Sequence, residues 1–451
     1  MATNINEPSE AIQNSYSRWR RNRDMIAGED AVKRAKSKYL PRLANQTDRD
    51  FENYLDRISF FPGAARTHDG LLGLVTRKAG VFECPPNVED IFEVVTRRGD
   101  TIHDLAEEVM SETLKTGFGG LLVDMPVMVE GLTEDVAVAQ GYRAFVAYYP
   151  AESILEVSTG IVANRQAITR VRLLEDADTV RELLLVDGAY VVIVHRHDGK
   201  DWVAEDPMVP LRRGEPLTFI PFVPVTPKAR GFEPVKGPLD DICMLNRHLF
   251  QAEAEAANSR HYSSAPIFVV SGAEKQDIPL CPGTAIFFAD STREKPVEAK
   301  YVEFSGAGQA TLEGAVATKK DEMAKLGSSI LASERPAAEA AETHAIRRSS
   351  ENSILASLAR TVGRKIEEAL DLISWWAGNE QGLVRFALNT DFVPTPMTAQ
   401  ERTALLAELQ AGAISYETYV DLMIAGEVLP DGFDIEAERV RLAASADRPG
   451  V

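Results

Sequence analysis

The chain has 451 residues, 45% hydrophobic and 26% charged, and its 68 acidic and 49 basic side chains leave a net charge of −19. That length admits two or three domains with a real core, and the composition is that of an ordinary globular protein. The acidity excludes a protein that grips nucleic acid over a broad surface, because phosphate binding needs clustered Lys and Arg; it does not exclude one that lets a polyanion pass.

No run approaches the ~20 apolar residues that span a bilayer. The opening stretch, MATNINEPSEAIQNSYSRWRRNRD, lacks the apolar core of a signal peptide and reads as a disordered arm over 1–14 leading into a basic helix. Cys84, Cys243 and Cys281 lie far apart without CxxC spacing, which points to a reducing compartment and no structural disulfide.

The segment 15–62 reads as helical and basic. Over 18–42, Arg18, Arg20, Arg21, Arg23, Lys33, Arg34, Lys36, Lys38 and Arg42 meet only Asp24, Glu29 and Asp30. A helix-like stretch at 63–80 follows. The next helix, 101–116, has Ile102, Leu105, Val109 and Leu114 as candidate core positions, and GFGG then leads into the buried-strand run LLVDMP at 121–126. From there to about 228 the chain is β-rich, with Asp187-Gly188 and Asp198-Gly199 marking hairpins.

Residues 237–262 place Ile242, Leu245, Leu249, Ala252, Ala256 and Ser259 at steps of three and four, a narrow helical stripe that passes from large to small residues. An insert at 264–304 reads as short strands, IFVV at 267, AIFFA at 285 and AKYVEF at 299, broken by Gly272 and the CPG at 281–283. A second helix pattern at 307–330 sets Leu312, Val316, Met323 and Leu326 on one side. After a breaker-containing stretch, a long helix runs from about Thr343 to Ala377, followed by a candidate strand ending at Pro394. Thr398 and Ser415 read as N-caps of two last helices, with Gly412 and Gly426 as their stops.

Chemistry-bearing patterns are weak. KTGFGG at 115–120 has the order helix, glycines, strand, the reverse of a phosphate cradle, and fits a helix C-cap turning into a strand. His195 and His197 share a strand face, but zinc needs three or four ligands, and a solvated hairpin end is the better reading. No GK[ST], HExxH, GxSxG or EF-hand pattern occurs, so no catalytic, cofactor-binding or metal-binding residue is assigned. Lys319, Lys320, Lys325, Arg347 and Arg348 are isolated charges on helices, a pattern commonest on solvated surface.

An ordered set of motifs resembles the portal proteins of tailed bacteriophages. It begins with Trp19, Arg23, Ile26 and Gly28, then Tyr39-Leu40-Pro41, then Tyr54, Arg57 and Phe60, then Thr67, Leu71, Gly73 and Arg77-Lys78. GFGGLLVDMP at 117–126, YYPAESIL at 148–155, PGT at 282–284, YVEFSG at 301–306 and MAKLGSSIL at 323–331 continue it. The run from Glu342 to Gly378 resembles the family's long central helix, and AISYETYVDLMIAGEVLP at 413–430 fits as well. The resemblance covers roughly residues 15–440.

That resemblance implies an α+β portal fold: a wing at 15–236, stem helices at 237–263 and 305–330 flanking a clip at 264–304, a channel loop at 331–342, a long helix and strand of the wing at 343–394 and a helical crown at 395–451. It implies a homo-oligomeric ring, usually of twelve subunits, at one capsid vertex of the virion, assembled in the host cytoplasm. Double-stranded DNA passes without sequence specificity. The partners would be the large terminase, the head–tail adaptor and capsid or scaffolding protein, with no cofactor, no enzymatic activity and no membrane. Lys319, Lys320, Lys325, Glu334, Arg335, Glu339, Arg347 and Arg348 are then the channel candidates. Glu274, Lys275, Asp277, Arg293 and Lys295 are the docking candidates on the clip. The rival classes are another structural protein of the head–tail connector, from which the helix–insert–helix order and the chain length lead away, and a DNA-packaging enzyme, against which the missing Walker motif speaks.

Overall fold

The computed structural model describes residues 4–44, 46–126, 142–263, 267–271, 298–302, 308–330, 353–392, 397–430 and 433–446. Helices α1 (Glu10–Ala27), α2 (Glu29–Arg34), α3 (Asp48–Arg57) and α4 (Gly63–Val75) precede β1 (Val81–Glu83) and α5 (Ile102–Thr116). Then come β2 (Gly119–Asp124), β3 (Phe145–Pro150), β4 (Ile154–Val162), β5 (Arg165–Asp176), β6 (Thr179–Val186), β7 (Ala189–His197), β8 (Trp202–Ala204), β9 (Leu211–Arg212), β10 (Glu215–Pro216) and β11 (Phe222–Val225). The rest is α6 (Asp240–Ser263), β12 (Ile267–Ser271), β13 (Glu298–Val302), α7 (Gln309–Ser329), α8 (Ile354–Trp376), β14 (Arg385–Ala387), α9 (Ala399–Gln410), α10 (Tyr416–Ala425) and α11 (Ile435–Ala446). Helices and antiparallel sheets are mixed along the chain, an α+β architecture.

The chain forms two compact units, passing between them four times. The first comprises residues 1–22, 66–240 and 327–451; the second comprises 23–65 and 241–326.

The first unit is built on a five-stranded antiparallel sheet of order β4-β5-β6-β7-β8 and a three-stranded sheet β11-β2-β3. Alternation along the strands drives Leu122, Tyr149, Ile154, Val171, Leu173, Leu183, Tyr190 and Val192 into one core with Ile12 and Trp19 of α1. Asp187-Gly188 turns β6 into β7 with φ of 51° and 81°, the paired left-handed conformation of a two-residue hairpin. Residues 115–120 form a helix end: Gly117 has φ 71° and caps α5, and a Cβ there would meet the Val235 carbonyl oxygen at 2.7 Å. The candidate core positions of α5 are all buried, and Thr101 with Asp104 closes a capping box at its start.

Arm and helix boundaries differ from expectation in two places. The arm at 1–14 is not disordered over its described part. Helix α1 begins at Glu10, Ser9 donates its amide to the Leu155 carbonyl at 2.8 Å, and Arg172 Nη1 donates to the Asn4 and Ile5 carbonyls at 3.2 and 2.7 Å. Arg172, 2% exposed, is itself held by Glu156 at 2.6 Å, so a buried guanidinium with donors to spare pins an otherwise featureless segment. The long helix starts at Ile354 behind the N-cap Ser353, and the part of the expected helix before 353 lies outside the described residues. The final described helix, α11, had no signal in the sequence reading.

The C-terminal helices of this unit are tied down by charge. Glu427 Oε1 lies 2.8 Å from Arg77 Nη1 and 3.2 Å from Lys78 Nζ, and Lys78 also meets Asp391 at 3.1 Å. The hydrogen bond from Arg77 is the main influence holding the Glu427 carboxyl below its ordinary value of 4.5; desolvation opposes it and Lys78 adds to it. A carboxyl depressed in the folded state contributes stability above its unfolded value and loses it as pH falls through the folded one. Amide exchange over 397–430, corrected for intrinsic rates, should therefore accelerate below pH 4.5 in the native chain. Glu427→Gln should show the faster exchange already at neutral pH. Equal protection in the two proteins at neutral pH would refute the anchor.

Candidate functional site

The second unit carries the feature that organises the chain. Helix α6 buries Ile242, Cys243, Asn246, Leu249, Phe250, Ala254 and Ala256; of the expected stripe Ile242, Leu249 and Ala256 are buried, whereas Leu245, Ala252 and Ser259 are half-buried, so the buried face is turned toward Asn246 and Phe250. Asn246, fully buried, accepts the Ala64 amide at 2.8 Å and donates to the Phe61 carbonyl at 3.1 Å. It thereby satisfies the start of α4, whose first amides have no helical partner. Phe250 meets Phe60 edge-on with ring centroids 5.9 Å apart, and Gln251 donates to the Tyr39 carbonyl at 2.8 Å. Residues 60–64 thus lie along α6.

Helix α7 lies antiparallel to α6. Lys320 Nζ is 2.8 Å from Glu253 Oε1, and Arg260 Nη1 is 3.6 Å from Glu313 Oε1. On both helices the two positions are seven residues apart, two turns, which fixes the register. The Arg260–Glu313 pair is open to solvent and contributes at most about 1 kcal/mol, whereas Glu253 is mostly buried beneath Lys320; the value of both pairs lies in alignment. Val316 and Met323 form the buried seam of α7, also seven apart. Met323 packs so closely on Gly63 that a Cβ there would meet its sulfur at 2.1 Å. Leu326 is 36% exposed and Leu312 half-buried, so the expected four-residue apolar side is narrower than its sequence suggested.

Strands β12 and β13 pair in antiparallel register from Ile267↔Val302 to Ser271↔Glu298. The strand pair thus lies between α6 and α7 in the chain. Phe268 and Tyr301 meet at 5.1 Å, and Tyr301 stays 60% exposed.

The charges singled out in the sequence are placed as follows. Lys320 is held by Glu253 and lies 5.2 Å from the Phe61 ring, so it joins the helices to each other. Lys319 is half-buried and Lys325 exposed on the same helix. Glu334, Arg335, Glu339, Arg347 and Arg348, and the clip candidates Glu274, Lys275, Asp277, Arg293 and Lys295, lie outside the described residues.

Other sequence signals dissolve into structure. In the basic segment, Lys33 pairs with Glu29, Lys36 with Glu52, Lys38 with Asp24, Arg42 with Asp48 and Arg21 with Asp240. His195 is held by Glu182 at 2.9 Å, while His197 packs on Trp202, so the two do not converge on a ligand. Burial, with Glu89 beside it, pushes the Cys84 thiol up, the opposite of an activated nucleophile. Among the described residues no group of three or more His, Cys, Asp or Glu is placed to hold a metal, and no helix is long and apolar enough to cross a membrane. The buried Asn246 is the residue sequence reasoning missed. Its position within the stripe, between Ile242 and Leu249, was the available signal.

Residues 238–377 match a family described as a domain of unknown function, DUF4055. The matched span opens just before α6 and closes just after α8. No curated protein matches the chain. Among solved structures it is similar to a chain in the neck of an empty gene transfer agent particle computed with C6 symmetry, at 15% identity and a TM-score of 0.40, covering 80% of this chain and 90% of that one. It is similar as well to a chain in the neck of the native particle computed with C12 symmetry, at 16% identity and a TM-score of 0.36, covering 87% and 97%. A chain in the virion of the native particle gives 14% identity and a TM-score of 0.36, covering 88% and 98%.

Proposed function

We propose that this chain is the subunit of a phage-type portal, a ring-shaped channel at a capsid vertex through which DNA enters during packaging and leaves at ejection. The observation that carries the reading is the antiparallel pair α6–α7, with β12 and β13 between the two helices in the chain, at the positions where the portal-like motifs place stem and clip. At 24 and 21 residues the helices reach ~36 and ~32 Å, a plausible channel depth.

The exposed side of α7 supports the same role. Gly314, Ala315, Ala317 and Ala324 are exposed on it and carry little bulk, so a helix of a neighbouring copy can approach closely. Lys319 and Lys325 are the remaining channel candidates on α7; Lys320 serves the alignment of the stem through Glu253. A channel of mixed charge in a chain of net charge −19 lets a polyanion slide, since few phosphates are neutralised at any moment. The channel loop at 331–342, the clip contacts with terminase and adaptor, and a twelve-fold ring belong to this proposal.

Purified protein imaged in top view is expected to show closed rings without added nucleotide, and the same preparation should not turn over ATP. A monodisperse monomer at high protein concentration, or ATP turnover by pure protein, would overturn the reading.

A further inference from the structure

The five-stranded sheet has two unlike edges, and each leaves apolar surface bare. At one edge, β4 and β5 pair from Ile154↔Leu173 out to Val162↔Arg165, turning through Ala163 and Asn164 at φ 47° and 63°. The pairing of β5 with β6 begins only at Arg170↔Leu184, so the tip of the β4–β5 hairpin overhangs the sheet. Val157 is opposite Val171, a fully buried core residue. The register slip beyond Ser158 adds its extra residue to β5, so the alternation of β4 continues and Thr159 and Ile161 keep the core-side face. Among the described residues Ile161 is left 76% exposed, the highest value of the exposed large hydrophobics.

At the opposite edge Val203 pairs with Arg196 and Met208 bridges to Val192, a core residue. Arg196 and Val192 are an even number of residues apart on β7, so Val203 and Met208 lie on the same core-side face. They are 53% and 40% exposed, and Val209 and Leu211, next along the chain, are 42% and 54% exposed.

The charges of the two edges are opposite. From Val157 to Thr169 the hairpin carries Arg165 and no acidic residue. The stretch 198–206 carries Asp198, Asp201, Glu205 and Asp206 against Lys200, with Glu205 held by Arg196. Bare edges of this kind invite pairing with another chain.

We infer that these edges are the two halves of a contact between neighbouring copies: the hairpin tip of one copy seats Ile161 on the Val203–Met208 strip of the next, and Arg165 faces its acidic rim. The occupant is a second copy because the complementary apolar and charged features lie on opposite edges of one sheet. That is the arrangement of a head-to-tail interface, and such an interface closes into a ring when the rotation per subunit permits. The inference rests on the portal reading and adds where wing meets wing.

The test uses the full chain with Ile161→Cys, Val203→Cys and the double variant, treated with a short bismaleimide and compared with the unsubstituted protein. The double variant is expected to give a ladder of covalent oligomers, and each single variant the pattern of the unsubstituted chain. Ile161→Asp should abolish the ring-sized species in mass photometry while leaving the thermal melt unchanged, since the side chain is mostly in solvent. Rings without a ladder, and with Ile161→Asp still assembled, would overturn this contact and give the patches to another occupant while the portal reading stands. Cross-linked dimers from Ile161→Cys alone would indicate a two-fold contact and also overturn it. An unsubstituted protein that never assembles would instead bring down the portal reading itself.

Discussion

Trp19→Ala is expected to lower the unfolding free energy by about 3–5 kcal/mol, the usual cost of emptying an aromatic site in a packed core. The indole is fully buried, stacks on Phe118 with ring centroids 6.1 Å apart and planes 6° from parallel, and donates to the Thr116 carbonyl at 2.9 Å. Its removal leaves both a cavity and an unmet carbonyl at the end of α5. Trp19→Phe keeps most of the stack and loses only the donor, which should cost about 1–3 kcal/mol. Denaturant melts followed by far-ultraviolet circular dichroism will separate the two. A loss under about 1 kcal/mol for the alanine variant would mean that α1 does not close this core.

Asp240→Ala should have an effect of similar size for a different reason. The carboxylate is 6% exposed as a residue, receives Arg21 at 2.5 Å and Asn22 at 3.1 Å, and stands where the chain enters α6. Asn22 is fully buried and also holds the Lys115 carbonyl at 2.9 Å. Deleting the acid strands a guanidinium among these groups, and breaking such a pair from one side costs about 3–5 kcal/mol. Removing both charges should cost less than removing one, so Arg21→Met added to Asp240→Ala is expected to recover part of the loss. If the double variant were less stable than Asp240→Ala alone, the pair would not be the source of the effect.

Elements with a local cause could be read in advance. The N-caps Thr398 and Ser415, the hairpin at Asp187-Gly188, the glycine cap at Gly117 and the buried part of the stripe, Ile242, Leu249 and Ala256, all depend on residues close together in the chain. The antiparallel register of α6 and α7 was not legible, because Glu253 and Lys320 are 67 residues apart. The basic character of 18–42 misled because a count over that stretch stops short of Glu52 and Asp240, the acids that Lys36 and Arg21 find. Docking of the N-terminal arm depends on a buried arginine on β5, more than 160 residues downstream. The charges proposed for a channel were legible only as types, since the face of a helix on which a charge lies is set by packing that its local sequence does not show.

The pairing of distant segments in the first unit also sets a clock on synthesis. Trp19 leaves the ribosome 97 residues before its acceptor at Thr116, and Arg21 waits through 219 residues for Asp240. At roughly 5–20 residues per second the second wait lasts about 11–44 s. Until Phe118 and the strands after it are made, a helix bearing Ile12, Tyr16 and Trp19 on one side has no core to enter. The nascent chain therefore offers an apolar, positively charged segment to cellular chaperones well before either unit can close. Early sections of this protein should be their clients in the translating cell.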